Sequence, residues 1–148
     1  MKITTVLLIE DSKFIRIASQ RELMKAGYTV LMAADGEHGL RMARENLPDM
    51  ILLDMMLPII AGADVLRMLK EDVLTKHIPV IILSSLSQKT SMKLKQQHVA
   101  GYIEKATLVD GDSKVIVLAL EAAAGLQAQT QSDGAAGNGT SRAIAAVS

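Results

Sequence analysis

Short apolar runs alternate with longer amphipathic stretches along most of this chain, and this rhythm limits its possible folds more than any other feature. Wholly apolar runs such as Val6–Ile9 and Val80–Leu83 are typical of strands buried on both faces of a sheet. The stretches between them repeat apolar residues at helical spacing. Strands that alternate with helices form a parallel sheet with right-handed crossovers and helices on both faces. The sequence therefore predicts a doubly wound α/β domain.

Capping and helix-breaking residues mark where the predicted elements begin and end. Ser12 is suited to cap the first helix and Gly27 to end it, while Pro48 and Pro79 precede the third and fourth strands. The predicted strands are Thr5–Ile9, Tyr28–Ala33, Met50–Leu53, Val80–Leu83 and Tyr102–Glu104. The predicted helices are the segment between Ser12 and Gly27, then Glu37–Asn46, Asp64–Asp72, Ser87–His98 and Ser113–Ala124.

The end of the chain differs in composition from the rest. Between Gly125 and Ser148 the only charged residues are Asp133 and Arg142, and Gly, Ala, Ser, Thr and Gln predominate. Such a composition buries too little apolar surface to offset the entropy lost on ordering. We therefore predict a folded domain of residues 1–124 followed by a flexible tail of residues 125–148.

Composition also excludes several classes of function. Sixteen basic residues balance sixteen acidic ones, which argues against a protein that mainly binds nucleic acid or an anionic membrane. The absence of Cys excludes disulfides, thiolate metal sites and Cys nucleophiles. Glu10 and Asp11 interrupt the apolar start of the chain before it reaches the length of a signal peptide, and no run reaches the ~18 apolar residues of a membrane span. We expect a soluble, cytoplasmic protein that binds neither DNA nor membranes.

Polar and charged residues follow four of the predicted strands. Glu10 and Asp11 follow the first strand, Asp54 the third, Ser84 the fourth and Lys105 the fifth. Ligands of doubly wound sheets bind outside the carboxyl ends of the strands, so these side chains are expected to meet in one cleft. Three carboxylates repel one another unless a cation or a shared proton relieves them, and oxygen ligands favour Mg²⁺ over zinc. A carboxylate nucleophile, a divalent metal, a Lys and a hydroxyl are what aspartyl-phosphate chemistry requires.

With these residues in place, residues 4–124 resemble the receiver domain of two-component response regulators, in its stand-alone, CheY-like form. The resemblance implies a flavodoxin-like fold with a five-stranded parallel sheet in the order 2-1-3-4-5. It also implies a signalling protein rather than an enzyme. The matching motifs are Val6–Ile9 before Glu10-Asp11, the run Asp54-Met55-Met56-Leu57-Pro58 with Gly62, and then Ser84, Tyr102 and Lys105 at the switch and lysine positions.

The resemblance assigns a phosphoacceptor and a metal site. It implies that Asp54 accepts a phosphoryl group from a sensor histidine kinase or a phosphotransfer protein. Asp11 and Asp54 would coordinate Mg²⁺ together with the main-chain carbonyl of Met56. Glu10 would act directly or through a metal-bound water.

The resemblance also assigns a phosphate-binding pair and a switch. Lys105 and the Ser84 hydroxyl would hold phosphoryl oxygens, and Ser84 moving toward them would vacate space that Tyr102 enters. The output would be a downstream protein target that binds the surface formed by the predicted helix Ser87–His98, the fifth strand and the predicted helix Ser113–Ala124. Homodimerisation on phosphorylation stays open.

Two positions depart from the family pattern. Ala106 follows Lys105 where the family usually has Pro after a cis peptide bond. Because a non-proline cis bond costs ~2.5–4 kcal/mol, this loop is expected to be either trans and rearranged, or strained. Ala61 stands where the family commonly has Asp, which is not one of the family's catalytic residues.

Other interpretations remain open from the sequence alone. Glu10 and Asp11 also suit the start of a helix, Ser84 suits a helix cap, and Tyr102 suits a half-buried sheet position. A degenerate receiver that acts as a constitutive interaction module is one alternative function. A haloacid-dehalogenase phosphatase is less compatible, because Met56 stands where its second acid is needed. A flavodoxin-like FMN carrier lacks its phosphate loop here.

Overall fold

The computed structural model describes residues 3–85, 99–109 and 114–136. Its strands are β1 (Thr5–Ile9), β2 (Thr29–Ala33), β3 (Met50–Asp54), β4 (Val80–Ser84) and β5 (Gly101–Glu104). Its helices are α1 (Lys13–Lys25), α2 (Gly36–Asn46), α3 (Gly62–Glu71), α4 (Lys105–Val109) and α5 (Lys114–Ala136). The predicted helix Ser87–His98 lies outside the described residues. Within the described part, no helix is both long enough and apolar enough to cross a membrane.

The five strands form one parallel sheet in the order β2-β1-β3-β4-β5, which confirms the predicted fold class and strand order. Every residue of β3 and β4 is buried, as their apolar sequences predict. Strand β1 lies between β2 and β3, with Ile9 opposite both Ala33 and Leu53. The carboxyl ends of β1, β2 and β3 therefore lie side by side, next to the candidate site residues.

The sheet separates two hydrophobic cores, because successive side chains of a strand point to opposite faces. Val6 and Leu8 of β1 pack on the side of α1 and α5, whereas Leu7 and Ile9 pack on the side of α2 and α3. The first core also contains Leu23 of α1 with Ile116 and Leu120 of α5. The second contains Ala43 of α2 with Val65, Leu66 and Leu69 of α3.

Side-chain caps fix the beginnings of the first two helices. The Ser12 hydroxyl accepts a hydrogen bond from the Ile15 amide at 3.3 Å, as predicted for the cap of α1. Asp35 caps α2 in the same way, accepting from the His38 amide at 2.8 Å. Both caps lie in loops that follow the carboxyl end of a strand, so they also set the shape of that edge of the sheet.

The last helix is longer than the sequence predicted. It runs to Ala136, whereas the prediction ended it at Ala124 and assigned the residues beyond to a flexible tail. Residues 125–136 continue α5 because Ala, Leu and Gln are good helix formers, and extending an existing helix avoids the cost of nucleation. The remainder of the predicted tail, residues 137–148, lies outside the described residues. A receiver domain boundary at residue 124 stays a prediction.

The segment after β5 is a short helix, whereas a loop was predicted from the sequence. No peptide bond in the described residues is cis, so Lys105-Ala106 is trans, the first of the two alternatives that Ala106 left open. Lys105 begins the short helix α4, which the sequence did not predict. The Thr107 hydroxyl donates to the Glu104 carbonyl at 2.6 Å across the start of this helix.

Candidate functional site

Three carboxyl groups meet at the carboxyl end of the two central strands. Glu10 immediately follows β1, and Asp54 is the last residue of the adjacent strand β3. The Glu10 amide donates to the Ala33 carbonyl at 3.0 Å, which ties the end of β1 to β2. Glu10 and Asp54 are fully buried, while Asp11 is exposed. One carboxylate oxygen from each of the three residues lies within 4.8 Å of the others, a spacing that suits a shared cation.

Lys105 follows β5, at the edge of the sheet, and its side chain extends to this cluster. Its Nζ lies 3.1 Å from Asp54 Oδ2 and 3.0 Å from Glu10 Oε1, although 51 residues separate it from Asp54 in sequence. The Lys105 side chain is only 15 % exposed, so these contacts are poorly screened by solvent. The trans, helical conformation after Lys105 thus still delivers the ammonium group to the predicted phosphoacceptor.

Burial and crowding shift the pKa values of this cluster. Burial raises the pKa of Glu10 to about 7, and the adjacent Asp54 carboxyl contributes in the same direction. The Ser12 amide and Lys105 oppose this shift only in part. Burial alone would lower the pKa of Lys105, but its hydrogen bonds to Glu10 and Asp54 raise that pKa above its ordinary value. For Glu10, burial and the adjacent Asp54 carboxyl therefore outweigh the stabilisation of its charged form by Lys105 and the Ser12 amide.

The loop after β3 holds the Asp54 carboxylate in place. The Met56 amide donates to Asp54 Oδ1 at 3.0 Å, so the Met56 main chain lies against the site, while its side chain is 64 % exposed. The Gly62 amide donates to the Met55 carbonyl at 3.1 Å and closes the loop. A Cβ on Gly62 would lie 2.5 Å from Met55 Cα and would also collide with the Asp54 carbonyl. Only glycine fits at this contact.

The two predicted switch residues lie on neighbouring strands, Ser84 on β4 and Tyr102 on the edge strand β5. Ser84 ends β4 and is 2 % exposed, one residue beyond the partner of Asp54 in the sheet register. Tyr102 lies on β5 opposite Ile82, half-buried against the core on the α2 and α3 side. Burial raises the pKa of Tyr102, and its hydroxyl is buried without a hydrogen-bond partner in the described part of the chain.

One residue beside the site, Arg16, was not predicted from the sequence. Arg16, in the first turn of α1, donates from Nη1 to the Glu10 carbonyl at 2.9 Å and to the Asp11 carbonyl at 3.1 Å. The only signal in the sequence was a basic residue five positions after Asp11. A basic residue on an amphipathic helix is usually solvated, so that signal was too weak to identify it.

Comparison with known proteins identifies the family. The family model described as the response regulator receiver domain matches residues 6–131. The chain is 34 % identical over 103 residues to the polar-differentiation response regulator DivK of Brucella anthropi, covering 68 % of this chain and 83 % of DivK. It is 38 % identical over 84 residues to histidine kinase P4 of Formosa agariphila, covering 57 % of this chain but only 6 % of that much longer protein.

Solved structures agree with this relationship. The chemotaxis response regulator CheY4 of Vibrio cholerae has the same fold, with a TM-score of 0.74 at 24 % identity over 82 % of this chain and 99 % of CheY4. The phosphorylated cyanobacterial phytochrome response regulator RcpA gives a TM-score of 0.67 at 28 % identity, covering 78 % of this chain and 89 % of RcpA. The chain belongs to the response regulator receiver domain family.

Proposed function

We propose that this receiver domain is a phosphorylation-dependent switch in which Asp54 accepts the phosphoryl group while Mg²⁺ is bound beside it. The observation that carries the proposal is the position of Lys105 Nζ, 3.1 Å from Asp54 Oδ2, in a cluster of three carboxylates. An ammonium group held against a buried carboxylate at a strand end is suited to neutralise phosphoryl oxygens. The surrounding groups then need only to position the reactants and offset charge.

The donor set fits Mg²⁺. Asp11, Asp54 and the Met56 carbonyl would hold the ion, with Glu10 bound directly or through water, and all of these are the oxygen ligands that Mg²⁺ prefers. Burial, followed by the neighbouring Asp54 carboxyl, raises the pKa of Glu10, and a cation bound beside Glu10 would favour its charged form. When bound, the cation would offset part of the negative charge of the three carboxylates and of an incoming phosphoryl group.

The phosphodonor would be a phosphohistidine of a sensor kinase or phosphotransfer protein, as membership of the receiver family implies. An Asp54 carboxylate oxygen forms the new bond to phosphorus, while the bond from phosphorus to the donor nitrogen breaks and the nitrogen keeps the electron pair. Lys105, which is paired with Glu10 and Asp54 before the reaction, would then bind phosphoryl oxygens, and the Ser84 hydroxyl would donate to one of them. Asp54 then carries roughly −1.5 to −2 charges in place of −1.

Phosphorylation of Asp54 would also change the conformation of β5. A Ser84 hydroxyl drawn toward the phosphoryl group leaves room beside Tyr102, whose buried hydroxyl has no partner among the described residues. Inward movement of Tyr102 would reshape the surface of β5, α5 and the predicted helix over residues 87–98, where a protein target binds. Output through such contacts, in the cytoplasm and without DNA or membrane binding, is part of this proposal.

Intact-mass measurement after incubation with phosphoramidate and Mg²⁺ tests the proposal. We expect a gain of ~80 Da in the wild-type chain and in Asp64→Asn, which removes an exposed carboxylate from α3. We expect no gain in Asp54→Asn. An unmodified wild-type chain would overturn the proposal in favour of a constitutive interaction module, and a gain retained in Asp54→Asn would overturn the choice of acceptor.

A further inference from the structure

Arg16 binds the backbone of the loop that carries two of the proposed metal ligands. Its half-buried guanidinium donates from one nitrogen, Nη1, to the carbonyls of Glu10 and Asp11 at 2.9 and 3.1 Å. No carboxylate among the described residues forms an ion pair with it. By contrast Arg67, on the surface of α3, pairs with the carboxylates of Asp64 and Glu71. Arg16 is thus aimed at main chain in a region crowded with acidic side chains.

One peptide group connects Arg16 to the Glu10 carboxylate. The carbonyl of the Asp11-Ser12 peptide accepts from Arg16 at 3.1 Å, and the N–H of the same peptide donates to Glu10 Oε2 at 2.9 Å. A trans peptide is planar, and its carbonyl and N–H point in opposite directions. Holding the carbonyl toward Arg16 therefore directs the N–H toward Glu10. Without Arg16 this peptide is free to rotate, and Glu10 loses a fixed donor.

The Glu10 carboxylate is held from two sides. The Ser12 amide binds Oε2, while Lys105 approaches Oε1 at 3.0 Å. Its position relative to Asp11 and Asp54 thus depends on the Asp11-Ser12 peptide as well as on Lys105. Groups that orient metal ligands commonly change metal affinity by about 10- to 100-fold when they are removed.

We propose that Arg16 is a positioning residue of the metal site, acting on the Glu10 carboxylate through the Asp11-Ser12 peptide group. This inference rests on the proposed function only in that the three carboxylates bind Mg²⁺. It requires no contact between Arg16 and the ion or the phosphoryl group. It also gives the loop between β1 and α1 a fixed conformation before the metal arrives, because both carbonyls are already bound.

Calorimetric titration of Mg²⁺ into the full chain tests the inference, with Arg16→Gln compared with Arg67→Gln as the matched control. We expect Arg16→Gln to bind Mg²⁺ about 10- to 100-fold more weakly than wild type, and Arg67→Gln to bind it equally well. Equal affinities of the wild type and Arg16→Gln would overturn the positioning role. No binding by the wild type would instead overturn the proposed function, so the two failures are distinguishable.

The amide resonance of Ser12 gives a readout that needs no metal. Loss of its hydrogen bond to Glu10 in metal-free Arg16→Gln is expected to move the Ser12 amide proton upfield, and Arg67→Gln is expected to leave it in place. An unmoved Ser12 proton in folded Arg16→Gln would contradict the peptide connection. A general loss of stability without reorientation of the peptide would not produce this selective shift.

A second pair of variants reaches the same peptide without changing Arg16. Ser12 has φ −74°, which proline accommodates, so Ser12→Pro replaces the N–H beside Glu10 with a ring carbon, whereas Ser12→Ala retains the N–H. Both lose the hydroxyl that caps α1. We expect Ser12→Pro to bind Mg²⁺ at least 10-fold more weakly than Ser12→Ala. Equal affinities of these two variants would overturn the role of the peptide.

Discussion

Glu10 is a fully buried carboxyl group between Asp54 and Lys105, and its titration affects the stability of the whole chain. Burial, followed by the neighbouring Asp54, raises its pKa from 4.5 to about 7. The folded chain therefore holds a proton on Glu10 over a pH range in which the unfolded chain has released it. The stabilisation from this proton is complete below pH 4.5 and is lost as the pH rises through 7.

We therefore expect the metal-free chain to lose about 3 kcal/mol of unfolding free energy between pH 4.5 and pH 8, since each unit of pKa shift is worth about 1.4 kcal/mol. Urea unfolding in the presence of a chelator measures this dependence. Glu10→Gln, which carries no titratable group, should show a much flatter profile over the same range. A wild-type stability that rises with pH in this interval would contradict the charge assignment.

Ile59, in the loop that follows Asp54, has a strained backbone conformation. Its φ of 71° lies in the left-handed region, where a β-branched residue is an outlier, and its side chain is 73 % exposed. Asn tolerates this conformation, so Ile59→Asn is expected to raise the unfolding free energy by about 1 kcal/mol. Val73→Asn is the matched control, because Val73 is 74 % exposed without a positive φ. An equal change in the urea midpoint of both variants would rule out strain.

At the scale of elements, the first turn of α3 is packed directly on the end of β3. A Cβ at Gly62 would meet backbone atoms of Asp54 and Met55, which cannot move aside as a flexible side chain could. A Cβ at Gly101, in β5, would meet Ile81 only at an ordinary 3.8 Å. The contact between α3 and β3 thus positions the backbone of Asp54 as well as stabilising the fold.

Gly62→Ala is therefore expected to cost about 1–3 kcal/mol of unfolding free energy and to weaken Mg²⁺ binding, because the backbone of Asp54 must shift. Gly101→Ala should leave Mg²⁺ binding unchanged. Urea unfolding and calorimetric titration of both variants measure the two effects. Wild-type Mg²⁺ affinity in folded Gly62→Ala would show that the proposed metal site does not depend on this contact.

The end of α5 provides a test of the predicted domain boundary. The last described core side chains are Leu120 and Ala123, and Gly125 has open space around it. For a chain that ends after Gly125, we expect an unfolding free energy within about 0.5 kcal/mol of that of the full chain. Leu120→Ala should lower the unfolding free energy by about 2–5 kcal/mol. A large loss of stability on truncation, measured in urea, would place the boundary of the domain further along α5.

At the scale of the whole molecule, the α/β class was predictable because buried parallel strands have wholly apolar sequences, whereas the strand order was implied by the resemblance to receiver domains. The meeting of Asp54 and Lys105 at one edge of the sheet was predictable, because the carboxyl ends of parallel strands lie together. The helix α4 was not predictable, because a helix of 5 residues depends on what it packs against, and the continuation of α5 was missed because the Gly, Ser and Thr content of that segment favours a flexible tail. The Arg16 contacts were not predictable, because every residue has a backbone carbonyl and the sequence does not indicate which of them a side chain binds.

The sheet order has a consequence for the timing of local motion. Strand β3, which ends in Asp54, is buried at every residue in the middle of the sheet, whereas β5, which carries Tyr102, is an edge strand with only Ile103 buried. Amide protons of β3 are expected to exchange with deuterium only on global unfolding, and those of β5 by local opening. Equal protection of both strands would contradict this. The edge strand β5, with the proposed switch residue Tyr102, can thus open locally while Asp54, the proposed phosphoacceptor, stays fixed in β3.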